Sequence, residues 1–312
     1  MSFNTASAQV IKRDITGKFD LKVRNADVFY PQISTVLPSD GYDENYAFLG
    51  DMPGVKEWLG DRVYSELRAG EYKIVNKLWE SSLLIDRHRI DDDRLNLYGP
   101  LIEDLASEAV QHPDELVVDA LITGETDLGF DGKAFFANDH VFGDSGSQDN
   151  LLSVTPDGGA ATTILAIDVK EAFNQARIQL LRFKNDQGKF LNRTTMTKLS
   201  SLMIFMPPEL EQEARNALDT QIYGFISGIG GENLVIDRPQ IVASPLLTDA
   251  RQIYVLHLGR ALRPIIFQAR SPLRRDVIDL GGIEKKEVKL ITEARYNVGY
   301  GPWFTAVKVA FP

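Results

Sequence analysis

The chain of 312 residues contains no cysteine. That absence removes disulfides, thiolate metal sites and cysteine nucleophiles together, and it suits a protein matured in a reducing cytoplasm. No apolar run approaches the ~20 residues that span a bilayer. The opening MSFNTASAQVIKRDITGKFD lacks the apolar stretch of a secretory signal. The expectation is a soluble intracellular product. Positive charge is also scarce: 34 Lys and Arg stand against 44 Asp and Glu, a net charge of −10. Such a balance repels phosphate and disfavours a dedicated nucleic-acid-binding module. The four histidines, His88, His112, His140 and His257, show neither HExxH nor paired His/Asp spacing. Neither a metal nor any other cofactor is expected.

What is present reads as globular, with 44% hydrophobic and 25% charged residues, no low-complexity tract, and length for one large domain or two ordinary ones. Residues 1–48, punctuated by Pro31, Pro38 and Gly41, read as an extended arm or irregular lead-in. LGDMPGVKEWLGDR (49–62) then sets Trp58 between glycines and among Lys56, Glu57, Asp61 and Arg62. A large aromatic in so polar a setting fits an active-site lid or a surface that docks onto a neighbour. Residues 68–71 read as a turn, and the period-two alternation from Tyr72 to Trp79 puts apolar residues on both phases, the pattern of a two-stranded ribbon. A ribbon alone is marginally stable, so one carrying Trp58, Tyr72 and Trp79 needs something to lie against.

Helical periodicity follows. Asp91 to Asp93 suit a helix N-terminus, Leu97, Leu101, Leu105 and Ala109 recur at fourth positions, and Gly124 closes the pattern. Pro113 makes this one long kinked helix or two collinear ones. Residues 124–160 are loop-rich, with room for a short hairpin. A helix is expected over 161–183, with Ile164, Ile167, Ala172, Ala176, Ile178 and Leu181 among its apolar positions. SSLMIFM reads as a buried strand and PPELEQEARNALDT as a helix. Further strands fall in ENLVIDRPQIVAS, QIYVLHLG, PIIFQAR and on both sides of Gly299 and Gly301. The class is α+β.

Chemical motifs are thin. GDSGS (143–147) has the look of a protease nucleophile turn, and Asp139, His140 and Ser145 can be drawn as a weak hydrolase site. A solvated loop is the simpler reading. RHRIDDDR (87–94) reads as a charge cluster at a helix start, facing opposite charges on a partner. GIGGEN (228–233) leads into a strand, not the helix that a phosphate loop requires. Arg260, Arg263, Arg270, Arg274, Arg275, Lys285, Lys286 and Lys289 make the C-terminal third locally basic, which fits an acidic neighbour or a solvated face.

LGDMPGVKEWLGDR, YKIVNKLWE, IDRHRIDDDRLNLYGPLIEDLA, HPDELVVDAL and DGKAFFANDH, in that order between Leu49 and His140, closely resemble the major head subunit of Mu-like phages and prophages, the gpT-like family. YVLHLGRALRPIIFQAR and EARYNVGYGPWFTAVKVAF resemble it more loosely. The resemblance implies the phage major capsid fold first seen in phage Hong Kong 97: N-terminal arm (1–48), extended β-ribbon loop (49–87), peripheral domain with spine helix (88–159), axial domain (160–282) and return strands of the peripheral domain (283–312). It implies a structural subunit with no catalytic residue and no cofactor. Hexamers and pentamers of the chain would tile an icosahedral shell around viral DNA. The chain would be located in the virion and assembled in the host bacterial cytoplasm. Partners implied are the chain itself, a separate scaffolding protein, a maturation protease, a portal and a decoration protein, with no membrane and no specific nucleic-acid recognition. Lys56, Glu57, Trp58, Arg62, Tyr72, Trp79, Arg87, Arg89, Asp91 and Asp92 are the expected contacts between subunits. The competing readings are the Asp139/His140/Ser145 hydrolase and another phage structural protein, of tail or connector.

Overall fold

The computed structural model describes residues 5–49, 69–86, 98–157, 159, 163–185, 188–191, 198–218, 237–279 and 287–312. Among the described residues the first element is helix α1 (Thr5–Arg24), where the sequence reading expected an extended arm or irregular lead-in. Ile15, Phe19 and Val23 recur every fourth residue and face the protein, while Lys22 and Arg24 sit in the last turn, where the helix dipole favours positive charge. The prolines that signalled irregularity lie after this helix. Helix α2 (Tyr30–Ile33) has Pro31 in its first turn and leads into β1 (Ser34–Pro38).

Strands β2 (Asp43–Leu49) and β3 (Ala69–Val75) pair antiparallel in a ribbon of their own, from Asp43 opposite Val75 to Leu49 opposite Ala69. This revises the sequence reading twice. Ala69, Gly70 and Glu71 are strand, not turn, and the partner of β3 comes from before the Trp58 segment. The next strand, β4 (Lys77–Asp86), leaves the ribbon for a four-stranded sheet of order β1-β11-β12-β4, in which β11 is Ile265–Asp279 and β12 is Glu287–Tyr300. β11 pairs with β1 in parallel and with β12 antiparallel, and β12 pairs antiparallel with β4.

Helix α3 (Tyr98–Ile122) crosses this sheet as one element with Pro113 inside it. Pro113 has no N–H to offer the carbonyl four residues back, yet tertiary contact holds the helix together: Pro113, Val117, Val118 and Leu121 are all buried. The buried stripe on its first half is Ile102 and Ala106, one position beyond the expected Leu101 and Leu105; Leu101 is 51% exposed. Ile15 and Phe19 of α1, Ile102 and Ala106 of α3, and Val277, Val288 and Leu290 of the sheet make a small cluster separate from the main core.

The main core surrounds a five-stranded sheet of order β7-β13-β10-β8-β9: β7 is Leu151–Ser153, β8 Leu202–Met206, β9 Gln240–Ala243, β10 Gln252–His257 and β13 Ala306–Ala310. β8 and β10 are buried at every residue, as the unbroken LMIFM run requires of a strand covered on both faces. Helix α4 (Ala166–Arg182) packs on this sheet beside the short α5 (Glu211–Leu218). Asp168 fixes the start of α4, its carboxylate accepting the Leu165 and Asp157 N–H groups at 2.7 Å each. Its buried face is Val169, Ala172, Phe173, Ala176 and Leu180; Ile167, Ile178 and Leu181, expected to be apolar anchors, lie exposed. A short hairpin, β5 (His140–Val141) with β6 (Ser147–Gln148), forms in the loop-rich region as expected. Gly301 joins the two sheets between β12 and β13, donating to the Pro264 carbonyl at 2.7 Å.

Candidate functional site

The ribbon meets its own sheet through side chains. Tyr46 of β2 donates its hydroxyl to Gln268 Oε1 at 2.9 Å, and Gln268 Nε2 donates to the Ile74 carbonyl at 3.3 Å. Half-burial and the nearby Glu44 carboxylate push the Tyr46 phenol up to about 12. Tyr72 Oη accepts the Tyr300 N–H at 2.8 Å, and Asn297 donates to the Val75 carbonyl at 2.8 Å. Asn76, buried between β3 and β4, donates to Ser39 Oγ at 2.8 Å and to the Gly41 carbonyl at 2.9 Å. The base of the ribbon therefore lies on β11 and β12, and this polar clamp fixes its direction. Sequence reading missed Tyr46, Asn76 and Gln268. The one local signal was an Asn and a Gln standing inside apolar runs, where an amide must find partners.

Of the residues expected at a subunit contact, Tyr72 and Trp79 are within the described structure, and both are engaged in their own chain. Trp79 donates its indole N–H to the Tyr296 carbonyl at 3.0 Å and packs 4.4 Å, centroid to centroid, from His112. His112 Nδ1 lies 2.8 Å from Tyr296 Oη. Burial lowers the His112 pKa, opposed by the carboxylates of Glu115, Glu108 and Asp119. One face of Trp79 still lines an open hollow beside α3. Lys56, Glu57, Trp58, Arg62, Arg87, Arg89, Asp91 and Asp92 lie outside the described residues, as does GIGGEN.

The hydrolase arrangement does not form. His140 is fully buried, stacked at 4.3 Å on the Trp303 ring, with Nδ1 2.6 Å from Asp131 and Nε2 3.2 Å from Asn150 Oδ1. Backbone groups set the orientation of Asn150: Oδ1 accepts the Ala137 N–H at 2.9 Å, and Nδ2 donates to the carbonyls of Phe135 at 2.8 Å and Trp303 at 3.3 Å. Asn150 Oδ1 is thereby aimed so that it can accept from His140 Nε2. Asp139 turns instead to Lys133 at 2.5 Å, and this ion pair lowers its pKa. Ser145 is buried, not a solvated loop residue: it accepts the Phe142 N–H at 3.0 Å and donates to the Gly146 carbonyl at 2.9 Å. Nucleophile, base and orienter each serve a different local bond. Catalysis needs them on one another.

Of the eight residues of the basic C-terminal cluster, four are engaged within the chain rather than on an acidic neighbour or a solvated face, and Lys285 and Lys286 lie outside the described residues. Arg263 donates to the carbonyls of Pro31 and, at 2.9 Å, Gln32; Arg270 donates to the Gly41 carbonyl at 2.6 Å. Arg275 pairs with Asp20 of α1, and Arg260 lies 5.0 Å over the Phe304 ring. Arg263, Arg270 and Arg275 tie the N-terminal segment to β11 and its approach.

Comparison with known proteins agrees with this architecture. A match to the family model "Mu-like prophage major head subunit gpT" covers residues 8–174 and 248–310. The Mu-like prophage FluMu major head subunit of Haemophilus influenzae is 40% identical over 136 residues, 43% of this chain and 44% of that protein. The major capsid protein of Escherichia phage Mu is 31% identical over 140 residues, 45% of this chain and 46% of that protein. The alignments thus span less than half the length of these relatives. Among solved structures, the procapsid of bacteriophage JBD30 superposes with a TM-score of 0.58 at 23% identity, over 99% of this chain and 77% of that one. The mature capsid of bacteriophage PhiM1 gives a TM-score of 0.59 at 12% identity, over 91% and 87%. Identities this low speak for the fold alone, which is that of phage capsid subunits. With the family match covering the four-stranded sheet, the long helix, and strands β7, β10 and β13 of the second sheet, the chain belongs to the Mu-like prophage major head subunit family, gpT.

Proposed function

We propose that the protein is the major head subunit of a tailed phage or prophage, a structural and non-catalytic chain whose copies close an icosahedral shell around viral DNA through hexamers and pentamers. The observation that carries this reading is that the likeness to a capsid subunit covers 99% of the chain, while Asp139, His140 and Ser145 are dispersed among structural bonds. In this reading α1 and the residues to β1 form the N-terminal arm, the β2·β3 ribbon and residues 50–68 form the extended loop, and α3 is the spine helix. Trp58, flanked by Lys56, Glu57 and Arg62, is the loop's anchor on a neighbouring subunit, since an aromatic ringed by charge is what such contacts favour. Arg87, Arg89, Asp91 and Asp92 supply charged contacts near the start of the spine. A scaffolding protein, a maturation protease, a portal and a decoration protein complete the head, which assembles in the host bacterial cytoplasm.

Electron microscopy of the recombinant protein, alone and co-expressed with its genomic neighbours, tests this. Closed shells, or rings of five and six subunits, are the expected products, with Trp58→Ala reducing their yield. A uniform small particle under both conditions would overturn the reading. Shells of undiminished yield from the variant would remove only the anchor.

A further inference from the structure

The two hydrophobic clusters part on the face of the four-stranded sheet that α1 and α3 cover. On β12, Leu290 belongs to the small cluster and Ala294 and Tyr296 to the main core, with Thr292 between them. On α3, Ala106 belongs to the small cluster and Val117 to the main core, with Ala109 and His112 between them. The side chains that meet at this seam, Ser81, Ala109, Thr292 and Ala294, are small, and they leave a hollow of about 240 Å³ between sheet and helix. Its floor is the buried Thr292, Ala294 and Tyr296, and its walls include the half-buried Trp79, His112 and Leu273. Its rim is Glu80 and Glu108, both exposed, and neither Lys nor Arg lines it.

Size and charge say what fits. A cavity of about 150 Å³ holds a benzene ring, so this one has room for the two fused rings of an indole, with Trp79, His112 and Tyr296 as aromatic surface to pack on. The acidic rim favours cations beside that ring. The sequence supplies the match in the 49–62 stretch: Lys56, Trp58, Gly60 and Arg62 stand at alternate positions, with Glu57, Leu59 and Asp61 between them. An extended segment therefore sets Lys56 and Arg62 on the same side as Trp58 and turns Glu57 and Asp61 to the other. The ribbon of the same chain leads away from the hollow. β4 lies with Trp79 at Ala294 and Lys77 at Tyr296, and the chain continues in that direction, with Val75 at Asn297 and Tyr72 at Tyr300. The ribbon's far end, Ala69 opposite Leu49, is thus ten residues (79 − 69) beyond Trp79, ~33 Å of strand. To fill the hollow, Trp58 of the same chain would have to double back along the whole ribbon.

We propose that this hollow is the socket for Trp58 of a second copy of the chain. The socket rests on the self-assembling head subunit proposed above, and it gives the loop of that subunit its landing site on the neighbour. The indole fills the hollow against Trp79, His112 and Tyr296, while Lys56 and Arg62 meet Glu80 and Glu108 at the rim. The ring supplies the affinity by leaving water for a pocket shaped to hold it. The rim pairs are exposed, so they set register and orientation more than energy. Loop and socket are different surfaces, so the contact is heterologous and repeats from copy to copy around a ring. Trp79, which the sequence placed at a subunit contact, takes part in it from the receiving side.

The chain has no cysteine, so thiol cross-linking reads this contact directly. A full-length chain with Lys56→Cys is co-expressed with a size-tagged chain carrying Glu80→Cys or Glu108→Cys, and the particles are treated with a short bismaleimide. A covalent mixed dimer is expected from a rim pair. Adding Trp58→Ala to the first chain should lower its yield roughly tenfold or more, and Trp58→Phe should retain most of it. Ala109→Phe, which fills the hollow from within, should lower the dimer as Trp58→Ala does, while the isolated variant keeps its unfolding transition in urea. A tagged chain with Glu171→Cys, at an exposed position of α4, is expected to give no dimer. Shells or rings under the microscope without a mixed dimer overturn the socket and leave the head-subunit reading standing. A dimer that Trp58→Ala leaves unchanged, or that the Glu171→Cys chain matches, does the same. A parent chain that forms neither shells nor rings overturns both.

Discussion

Gly17 and Gly301 show how differently one residue type is used. A Cβ on Gly301 would lie 2.2 Å from the Arg263 carbonyl oxygen and 3.0 Å from that of Pro264. Both are backbone atoms held by β1 and β11, so nothing can yield. A Cβ on Gly17, in the middle of α1, meets nothing within 4 Å. Gly301→Ala is expected to destabilise the protein by about 3 kcal/mol. Gly17→Ala should stabilise α1 by about 1 kcal/mol through backbone entropy. Urea unfolding of the two variants checks both signs. Sequence alone marked Gly301 as a break between strands, which it is, but the carbonyl that forbids a side chain there comes from a residue 38 positions away (301 − 263). His140 teaches the same lesson. Its neighbour Asp139 looked like its partner, while the bonds that define it reach Asp131 and Asn150.

Elements were legible where one segment determines its own form. The long helix, the α4 helix and the strands β8, β10 and β13 follow from period, caps and apolar runs. Which face of each helix is buried did not follow. In α3 and in α4 two apolar stripes lie side by side, and only the sheet beneath selects Ile102 over Leu101, or Val169 over Ile167. The ribbon was recognised, but its partner strand was misassigned, because pairing β2 with β3 spans the whole Trp58 segment. Helix α1 rests on a cluster of its own, Ile15 and Phe19 against Ile102, Ala106, Val277, Val288 and Leu290, apart from the main core. Phe19→Ala, which removes one of two buried anchors, is expected to cost α1 its ~3 kcal/mol of packing while leaving the main core folded. Limited trypsin digestion should then cut at Lys18, Lys22 or Arg24 several-fold faster than in the parent, with the unfolding transition of the remaining chain retained. Loss of the whole transition would show that the two clusters unfold as one.

At the scale of the molecule, charge is the property that sequence states most directly. A net charge of −10 repels duplex DNA, and several of the arginines that could have formed a basic face are occupied: Arg263 and Arg270 on backbone carbonyls, Arg275 on Asp20. The isolated protein is therefore expected to show negligible affinity for duplex DNA at moderate salt, read by electrophoretic mobility shift. A tight complex with a steep salt dependence would contradict this. For a shell that encloses DNA, such indifference leaves the packed duplex free to slide.

By itself the sequence determined the α+β class, most helix and strand positions, the acidic character and the family, because these depend on composition, local period and ordered motifs. Tertiary structure alone decided which apolar stripes are buried, which strand completes the ribbon, and that Asp139, His140 and Ser145 never meet. The reason is physical: a side chain's neighbours in space come from residues far away in sequence, and their distances are set only when the sheets have closed around the core.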